Sequence, residues 1–252
     1  ELIMSTRIAL IGYGKMGKML AGMAADHDCE VVACIDPHAC EAKSEISAEN
    51  LNNCDVCLEF SHPAAVMNNL KALISLGQTV VVGTTGWNQH EREIRELVEK
   101  AGTGLLTGAN FSIGMSIFSR VVQSAACFFD KFESYDVFGY EQHHRQKADS
   151  PSGTAIELAK LIIESSSRKE LAFFETAHRK IEPNELHFAS IRGGHVPGTH
   201  SVIFDSEADS IELIHKAHNR SGFAHGALEA AKWMKGKKGC YNFNDMMNEL
   251  LC

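Results

Sequence analysis

The sequence predicts an α/β protein, with a Rossmann-type doubly wound parallel sheet and a second α+β domain built on a mixed or antiparallel sheet. Three observations predict it. Short apolar runs alternate with helix-patterned stretches in the first part of the chain. A G-x-G-x-x-G stands between the first apolar run and the first helix pattern. Beyond "ANFSIG" the text turns to longer β-rich segments with few helices. Strand–helix alternation implies parallel strands covered on both faces, whereas runs of strands imply a separate mixed or antiparallel sheet.

Each element is legible in turn. "RIALIG" reads as a buried strand and "KMGKMLAGMAADH" as a helix with apolar residues at helical spacing. "EVVACID" and "DVCLEF" are the next strands. "PAAVMNNLKALISLG" places Pro63 in a first-turn position and Gly77 as the stop of a helix. "TVVVGTTG" is a strand entering a turn, "QHEREIRELVEKAG" a charged helix stopped by Gly102, and "TGLLTGANF" a short strand. The helix-like "GMSIFSRVVQSAACFF" opens the second pattern. It continues with strands in "ESYDVFGYEQHH", "ELHFASIRGG", "THSVIFDS" and "SIELIHKAH", interrupted by one clear helix, "GTAIELAKLIIESS". "FAHGALEAAKWM" is helical again. The change of pattern puts a domain boundary near Ser112.

The bulk numbers exclude several classes. The 252 residues are 44% apolar and 22% charged, as in a globular protein with an ordinary core. No apolar run approaches the roughly 18 residues of a membrane span. The net charge of -8 argues against general nucleic-acid binding, which wants a basic face. "ELIMSTRIALIG" lacks the pattern of an export signal, and Glu1–Ile3, ahead of Met4, read as an added remnant. The eight cysteines are scattered and form no disulfide framework, which points to a reducing cytoplasm. Cys54 and Cys57 form a C-x-x-C, but a strand-like run follows them and no second pair completes a zinc site, so they read as core thiols.

In "IGYGKMG", Gly12 permits the tight turn, Gly14 admits a pyrophosphate to the backbone, and Gly17 lets the helix pack on the strand. The helix N-terminus supplies unpaired N–H groups for the phosphates. Asp36, 19 residues beyond Gly17, ends the second strand, where an acid accepts from an adenosine ribose. Its charge would repel a 2′-phosphate, so NADH is expected over NADPH, with His38 and Lys15 able to compensate in part. The loops "VVGTTG" and "TGANFS" follow later strands of the same sheet, and Gly83, Thr84 and Thr85 suit a nicotinamide ribose or carboxamide.

The stretch from Tyr140 to Ala155, "YEQHHRQKADSPSGTA", concentrates histidines and cations in an acidic chain. Adjacent His143 and His144 diverge on a strand and no third ligand follows at regular spacing, so no metal is expected there. The stretch carries Glu141, His143, His144, Arg145, Lys147, Asp149, Pro151, Ser152, Gly153, Thr154 and Ala155 in the pattern E-x-H-H-R-x-K-x-D-x-P-S-G-T-A. With "FSHP", "VVGTTG", "ANFSIG" and "HKAHNRSGFAHGA" in the same order, the sequence resembles the dihydrodipicolinate reductase family over nearly its whole length.

That resemblance implies reduction of a cyclic dicarboxylate, 4-hydroxy-tetrahydrodipicolinate, by NADH or NADPH with loss of water, in lysine and diaminopimelate synthesis. It implies a dinucleotide-binding domain of residues 1–112 with 221–252, a substrate-binding and oligomerisation domain of residues 113–220, and a homotetramer. By position, Gly12, Tyr13, Gly14, Lys15, Met16, Gly17, Asp36, Gly83, Thr84, Thr85, Gly108, Ala109, Asn110 and Phe111 would be cofactor contacts. His143 and Lys147 would be catalytic, and His144, Gly153 and Thr154 would hold the substrate. The glycine loop is one residue shorter than in many members and lacks their arginine, which leaves cofactor preference open.

The chemistry gives each group a task. Carboxylates are matched by fixed cations and by helix N-termini. Lys147 and His144 supply the first; "SPSGTA" supplies the second, with Ser150 or Ser152 as cap, Pro151 suited to the first turn, and Gly153 open to close approach. Hydride delivery leaves an enamine-like centre that needs a proton. Histidine donates near neutrality, and lysine stabilises developing charge or donates. His143 is therefore the expected acid/base and Lys147 the donor or electrostatic stabiliser. Arg220 is a candidate anchor for a substrate carboxylate, or a surface ion pair; His195–Pro197 read as a turn, and Trp87 and Trp233 as packing residues. The rival readings are another two-domain amino-acid or semialdehyde dehydrogenase and a nucleotide-sensing regulator without turnover. Neither accounts for "HHRQKADSPSGTA".

Overall fold

The computed structural model describes residues 5–251. The reading of Glu1–Ile3 as a remnant lies outside them, as does Cys252. The chain divides into two compact units, one of residues Glu1–Ile113 with Ser221–Cys252, the other Gly114–Arg220.

Unit 1 opens β1 (Thr6–Ile11), α1 (Lys15–Met23), β2 (Cys29–Ile35), β3 (Val56–Glu59), α2 (Val66–Ser75), β4 (Val80–Val82), α3 (Glu91–Ala101) and β5 (Gly104–Thr107). In unit 2 follow α4 (Ile113–Phe129, its first residue still in unit 1), β6 (Asp136–His143), α5 (Gly153–Glu164), β7 (Leu171–Phe173), β8 (Glu185–Arg192), β9 (Thr199–Asp205) and β10 (Ser210–Lys216). The chain then returns to unit 1 with α6 (Ser221–Met234), β11 (Gly239–Asn242) and α7 (Phe243–Leu251).

The sheet of unit 1 has the order β11-β5-β4-β3-β1-β2, with every pairing parallel. Successive side chains alternate between its faces, and both faces are dry. Ile8, Leu10, Val56, Leu58, Val81 and Leu106 pack with α1, α6 and α7; Ala9, Ile11, Cys57, Val80, Val82 and Leu105 pack with α2 and α3. Burial on both sides is why these strands read as continuous apolar runs instead of alternating ones. The order reverses between β1 and β3, and such a switch point is where parallel sheets bind ligands, beyond the carboxyl ends of the strands.

Unit 2 holds a five-stranded sheet, β10-β9-β6-β8-β7. β9 runs antiparallel to β6 and β10, while β8 runs parallel to β6 and β7. One face is covered by α4 and α5, whose Phe118, Val122, Leu158 and Ile162 meet Val137, Phe188, Val202 and Phe204 of the strands. The other face leaves Phe138, Ile191 and Ile214 exposed.

Two proline expectations need correction. α2 begins at Val66 and not at Pro63, because the His62 carbonyl first accepts from the Ala65 and Val66 amides in a separate turn. Pro151 lies before the cap, since Ser152 itself is the N-cap of α5 and its Oγ accepts from the Ala155 amide at 3.2 Å. The Cys54 and Cys57 thiols stand 3.6 Å apart at the entrance of β3, and the seven described cysteines are free. Their contact together with burial raises Cys57 well above an ordinary thiol.

Candidate functional site

In unit 1 the site begins where β1 ends. Gly12 has φ +92°, and a Cβ there would lie 2.4 Å from the Phe60 carbonyl oxygen at the end of β3. A Cβ on Gly17 would lie 2.2 Å from the Gly12 oxygen, so helix and turn meet only because both residues lack one. Gly14, the N-cap of α1, has open space around it and no capping side chain, and the first turn of α1 carries no acid. The first-turn amides thus face outward unopposed, which is the arrangement that binds phosphate. Lys15 is exposed, and Tyr13 and Met16 are half-buried.

Asp36 stands beside this loop. Its carboxylate accepts from the Tyr13 amide at 2.7 Å and the His38 amide at 2.8 Å. It therefore fixes the glycine turn to the end of β2. The next strand ends converge on Glu59, a fully buried acid that the sequence reading did not single out. Its backbone oxygen accepts from the Gly83 and Thr84 amides, and its side chain accepts from the Ser61 hydroxyl and the Asn69 amide. Thr84 Oγ1 in turn accepts from the Ser61 amide, and Trp87 Nε1 donates to the Thr84 carbonyl. Thr85 is exposed at the tip.

In the turn after β5, Gly108 donates to Val82, and Asn110 Oδ1 accepts from the Ser112 amide. The ring of Phe111 is buried against Phe60 and Phe243, so its side chain packs the core.

In unit 2 the site is built of side chains. Glu141 and His143 are two apart on β6, so both face the covered side, and both are buried. The parallel register sets Glu141 beside Ser190 and His143 beside Arg192. Glu141 accepts from His143 Nδ1, from both terminal nitrogens of Arg192 at 2.8 and 3.0 Å, from Ser190 Oγ at 2.8 Å and from the Ser152 amide at 3.1 Å. Burial alone would raise this carboxyl, but Arg192, His143, Ser190 and the Ser152 amide override it and hold the group at about 2. An ionised carboxylate only accepts, so Nδ1 of His143 carries the proton and Nε2 is the atom left to exchange one. Gly198 faces that atom, and a Cβ there would crowd Nε2 at 3.0 Å. The His200 ring stands edge-on to His143 with centroids 5.3 Å apart, and burial pushes His200 down to about 4, so it is neutral at pH 7.

Lys147 follows one turn of loop later, its amide donating to the His144 carbonyl and its ammonium paired with exposed Asp149 at 2.8 Å. The His144 amide donates to Val196, which ties the "HHRQK" loop to the turn containing His195–Pro197. Gly153, the first residue of α5, is exposed with open space around it, and Thr154 is half-buried next to it. The Glu141–Ser152 bond thus joins the histidine to this helix N-terminus. Arg220 is exposed on the segment leading into α6 and takes no part in the Glu141 network. Glu141, His143 and His200 come close enough together to suggest a cation site. The Arg192 guanidinium already neutralises the carboxylate there, so an acid/base pair fits the donor set better than a metal.

Glu141, Ser190, Arg192 and His200 were missed as site residues. One signal was available: an acid at an inward position of β6, in step with Val137, Gly139 and His143.

The fold is shared with dehydrogenases. An amine dehydrogenase from Mycobacterium smegmatis superposes with a TM-score of 0.61 at 12% identity, covering 94% of either chain. A dipicolinate-bound dihydrodipicolinate reductase from Paenisporosarcina sp. superposes with a TM-score of 0.75 at 24% identity, covering 95% of this chain and 98% of that one. These likenesses show the fold alone, a Rossmann-type unit carrying a second unit. The sequence comparisons go further. The dihydrodipicolinate reductase N-terminus family matches residues 6–111 and the corresponding C-terminus family residues 114–247. The 4-hydroxy-tetrahydrodipicolinate reductase of Christiangramia forsetii is 36% identical over 96% of this chain and 98% of its own. That of Clostridium tetani is 34% identical over 98% and 99%. The chain belongs to the dihydrodipicolinate reductase family, and it is an NAD(P)H-dependent oxidoreductase.

Proposed function

We propose a division of labour between the two units of this reductase. The chain reduces 4-hydroxy-tetrahydrodipicolinate to tetrahydrodipicolinate with loss of water, in lysine and diaminopimelate synthesis, and takes hydride from NADH or NADPH. Unit 1 holds the cofactor: the pyrophosphate on the Gly12–Gly17 turn, at the amides beyond those that Gly12 and Tyr13 give to Ile35 and Asp36, the adenosine ribose on Asp36, and the nicotinamide end on Gly83–Thr85 and Gly108–Asn110. Asp36 carries its charge where a 2′-phosphate would sit, which supports NADH as the preferred donor.

Unit 2 holds the dicarboxylate. One carboxylate meets the open first turn of α5 at Gly153 and Thr154, capped by Ser152. Lys147 exchanges Asp149 for the substrate's negative charge, with His144 beside it and Arg220 as an outlying anchor. Hydride enters the ring, and the enamine-like carbon left behind takes a proton from Nε2 of His143 in its doubly protonated form, which has taken that proton from solvent and returns to the neutral Nδ1–H ring held by Glu141. Glu141 is the positioning residue, because it sets the tautomer of His143 and, through the Ser152 amide, ties the ring to the substrate's anchor. That shared carboxylate is the observation that carries the assignment.

The test is a coupled assay with enzymatically generated substrate, following NADH and NADPH oxidation in parallel. We expect turnover with both and a higher kcat/KM for NADH; no turnover with either would sink the assignment, and a higher value for NADPH would sink the Asp36 argument. The exposed Phe138, Ile191 and Ile214 support assembly through the open sheet face, as a homotetramer. Light scattering behind size exclusion that returned only monomer would overturn this. No helix among the described residues is long and apolar enough to cross a membrane. The free thiols support a cytoplasmic place, which fractionation of the source cells checks.

A further inference from the structure

We propose that His27, His225 and Glu229 of unit 1 form a binding site for a divalent transition-metal ion, Zn²⁺ being the best match. This site is separate from the residues assigned to cofactor and substrate, and it does not rest on the proposed reaction. Its geometry comes from two local features. His225 and Glu229 lie four apart on α6, so they share one face of the helix. His27 ends a short 3₁₀ turn after α1, just before the left-handed Asp28 redirects the chain into β2.

The three side chains converge on one oxygen. His225 Nε2 lies 3.6 Å and His27 Nδ1 3.9 Å from Glu229 Oε1, and all candidate ligand atoms lie within 4.8 Å of one another. Two ligands of a tetrahedral zinc ion, each about 2.0–2.1 Å from it, stand roughly 3.3 Å apart. The observed separations exceed that by an amount that small side-chain rotations supply, and the side chains are 46%, 22% and 27% exposed for His225, His27 and Glu229. The imidazole centroids are 4.5 Å apart at 30°, so both rings already crowd one spot. Two imidazoles and a carboxylate are a donor set suited to borderline ions such as zinc, with the fourth position left to water.

A competing cation is built in. Lys232, three residues beyond Glu229 on α6, places its ammonium 2.7 Å from the same oxygen. An ammonium held against the oxygen on which two imidazole nitrogens converge shows that the spot favours positive charge. A metal ion must displace it, and its long, partly exposed side chain can swing away. The bound ion would clasp the end of α1 to α6, the helix with which the chain re-enters unit 1.

The experiment uses the full-length chain, stripped with chelator and titrated with ZnCl₂ by calorimetry in a non-coordinating buffer, with thermal melts alongside. We expect one site per chain and a zinc-dependent rise in Tm. His27→Ala, His225→Ala and Glu229→Gln should each weaken binding by more than about tenfold, since even the groups that hydrogen-bond to zinc ligands are worth about 10- to 100-fold. Lys232→Met should tighten it several-fold, because the competitor is gone; this variant keeps all three ligands and reports even if a ligand variant folds poorly. Absence of zinc binding by the wild-type chain would overturn the proposal. So would zinc binding that the histidine variants leave intact, since the ion would then sit elsewhere, and so would a Lys232→Met chain that binds no more tightly.

Discussion

The two units present their polar groups by opposite means. Unit 1 does it with what is missing: Gly12 and Gly17 lack the Cβ that would block the turn, and no side chain caps α1. Unit 2 does it with what is buried, a carboxylate inside the protein surrounded by Arg192, Ser190, His143 and the Ser152 amide. A backbone site depends on close packing and fails sterically. A side-chain network depends on protonation and fails chemically. In the function proposed above, the contrast also separates cofactor binding from proton transfer, because amides hold an anion at every pH whereas an imidazole must change state to work.

The largest expected effect tests the chemical side. His143→Ala and Lys147→Ala should each lower kcat by about 10²- to 10⁴-fold, the usual loss for a well-placed acid or charge stabiliser. Cofactor affinity, read by quenching or calorimetry, should stay unchanged. Glu141→Gln should lower kcat at least about tenfold with a smaller change in KM, because an amide opposite Nδ1 no longer selects one tautomer. Near-normal kcat in the histidine or lysine variant would break the comparison at its root.

Next comes the steric side. Gly12→Ala forces a left-handed φ on an alanine and drives its Cβ into the Phe60 carbonyl. A strained residue of this kind costs about 1–3 kcal/mol before the clash is added. The variant should lose stability and cofactor affinity together, seen as a lower Tm and a weaker NADH titration, while substrate-side residues are untouched. Normal NADH affinity in this variant would mean the glycine turn is only a packing device.

The same contrast explains what could be read in advance. The glycine loop is local, so its code sits within a few residues and Gly12, Gly14, Gly17 and Asp36 all announced themselves. Gly102 did likewise, with φ +65° where the helix stops. The Glu141 network is not local: its partners Ser190 and Arg192 lie 49 and 51 residues away and meet it only through the β6–β8 register. The small β11, "GCYN", has no strand-forming pattern and exists because β5 offers it a free edge. β7, three residues at the other sheet's edge, is the same case. Pro63 and Pro151 were read as first-turn residues, but neighbouring groups, the His62 carbonyl and the Ser152 hydroxyl, decided where those helices start.

The smallest expected effect is one of stability against pH, and it separates two buried groups of unit 2. Burial lowers His200 to about 4 from the ordinary 6.5, so the unfolded chain binds a proton there first. Its contribution is complete above pH 6.5 and is lost as pH falls toward 4, by up to about 1.4 kcal/mol per pH unit. Glu141 is held at about 2 against an ordinary 4.5, so its contribution is complete above 4.5 and is lost as pH falls toward 2. The two windows barely overlap. His200→Gln should therefore flatten Tm between pH 6.5 and 4 and leave the lower decline in place, whereas Glu141→Gln should do the reverse. If His200→Gln left the upper slope unchanged, the loss there would belong to other histidines, and the neutral state assigned to His200 beside the His143 imidazole would have to be given up.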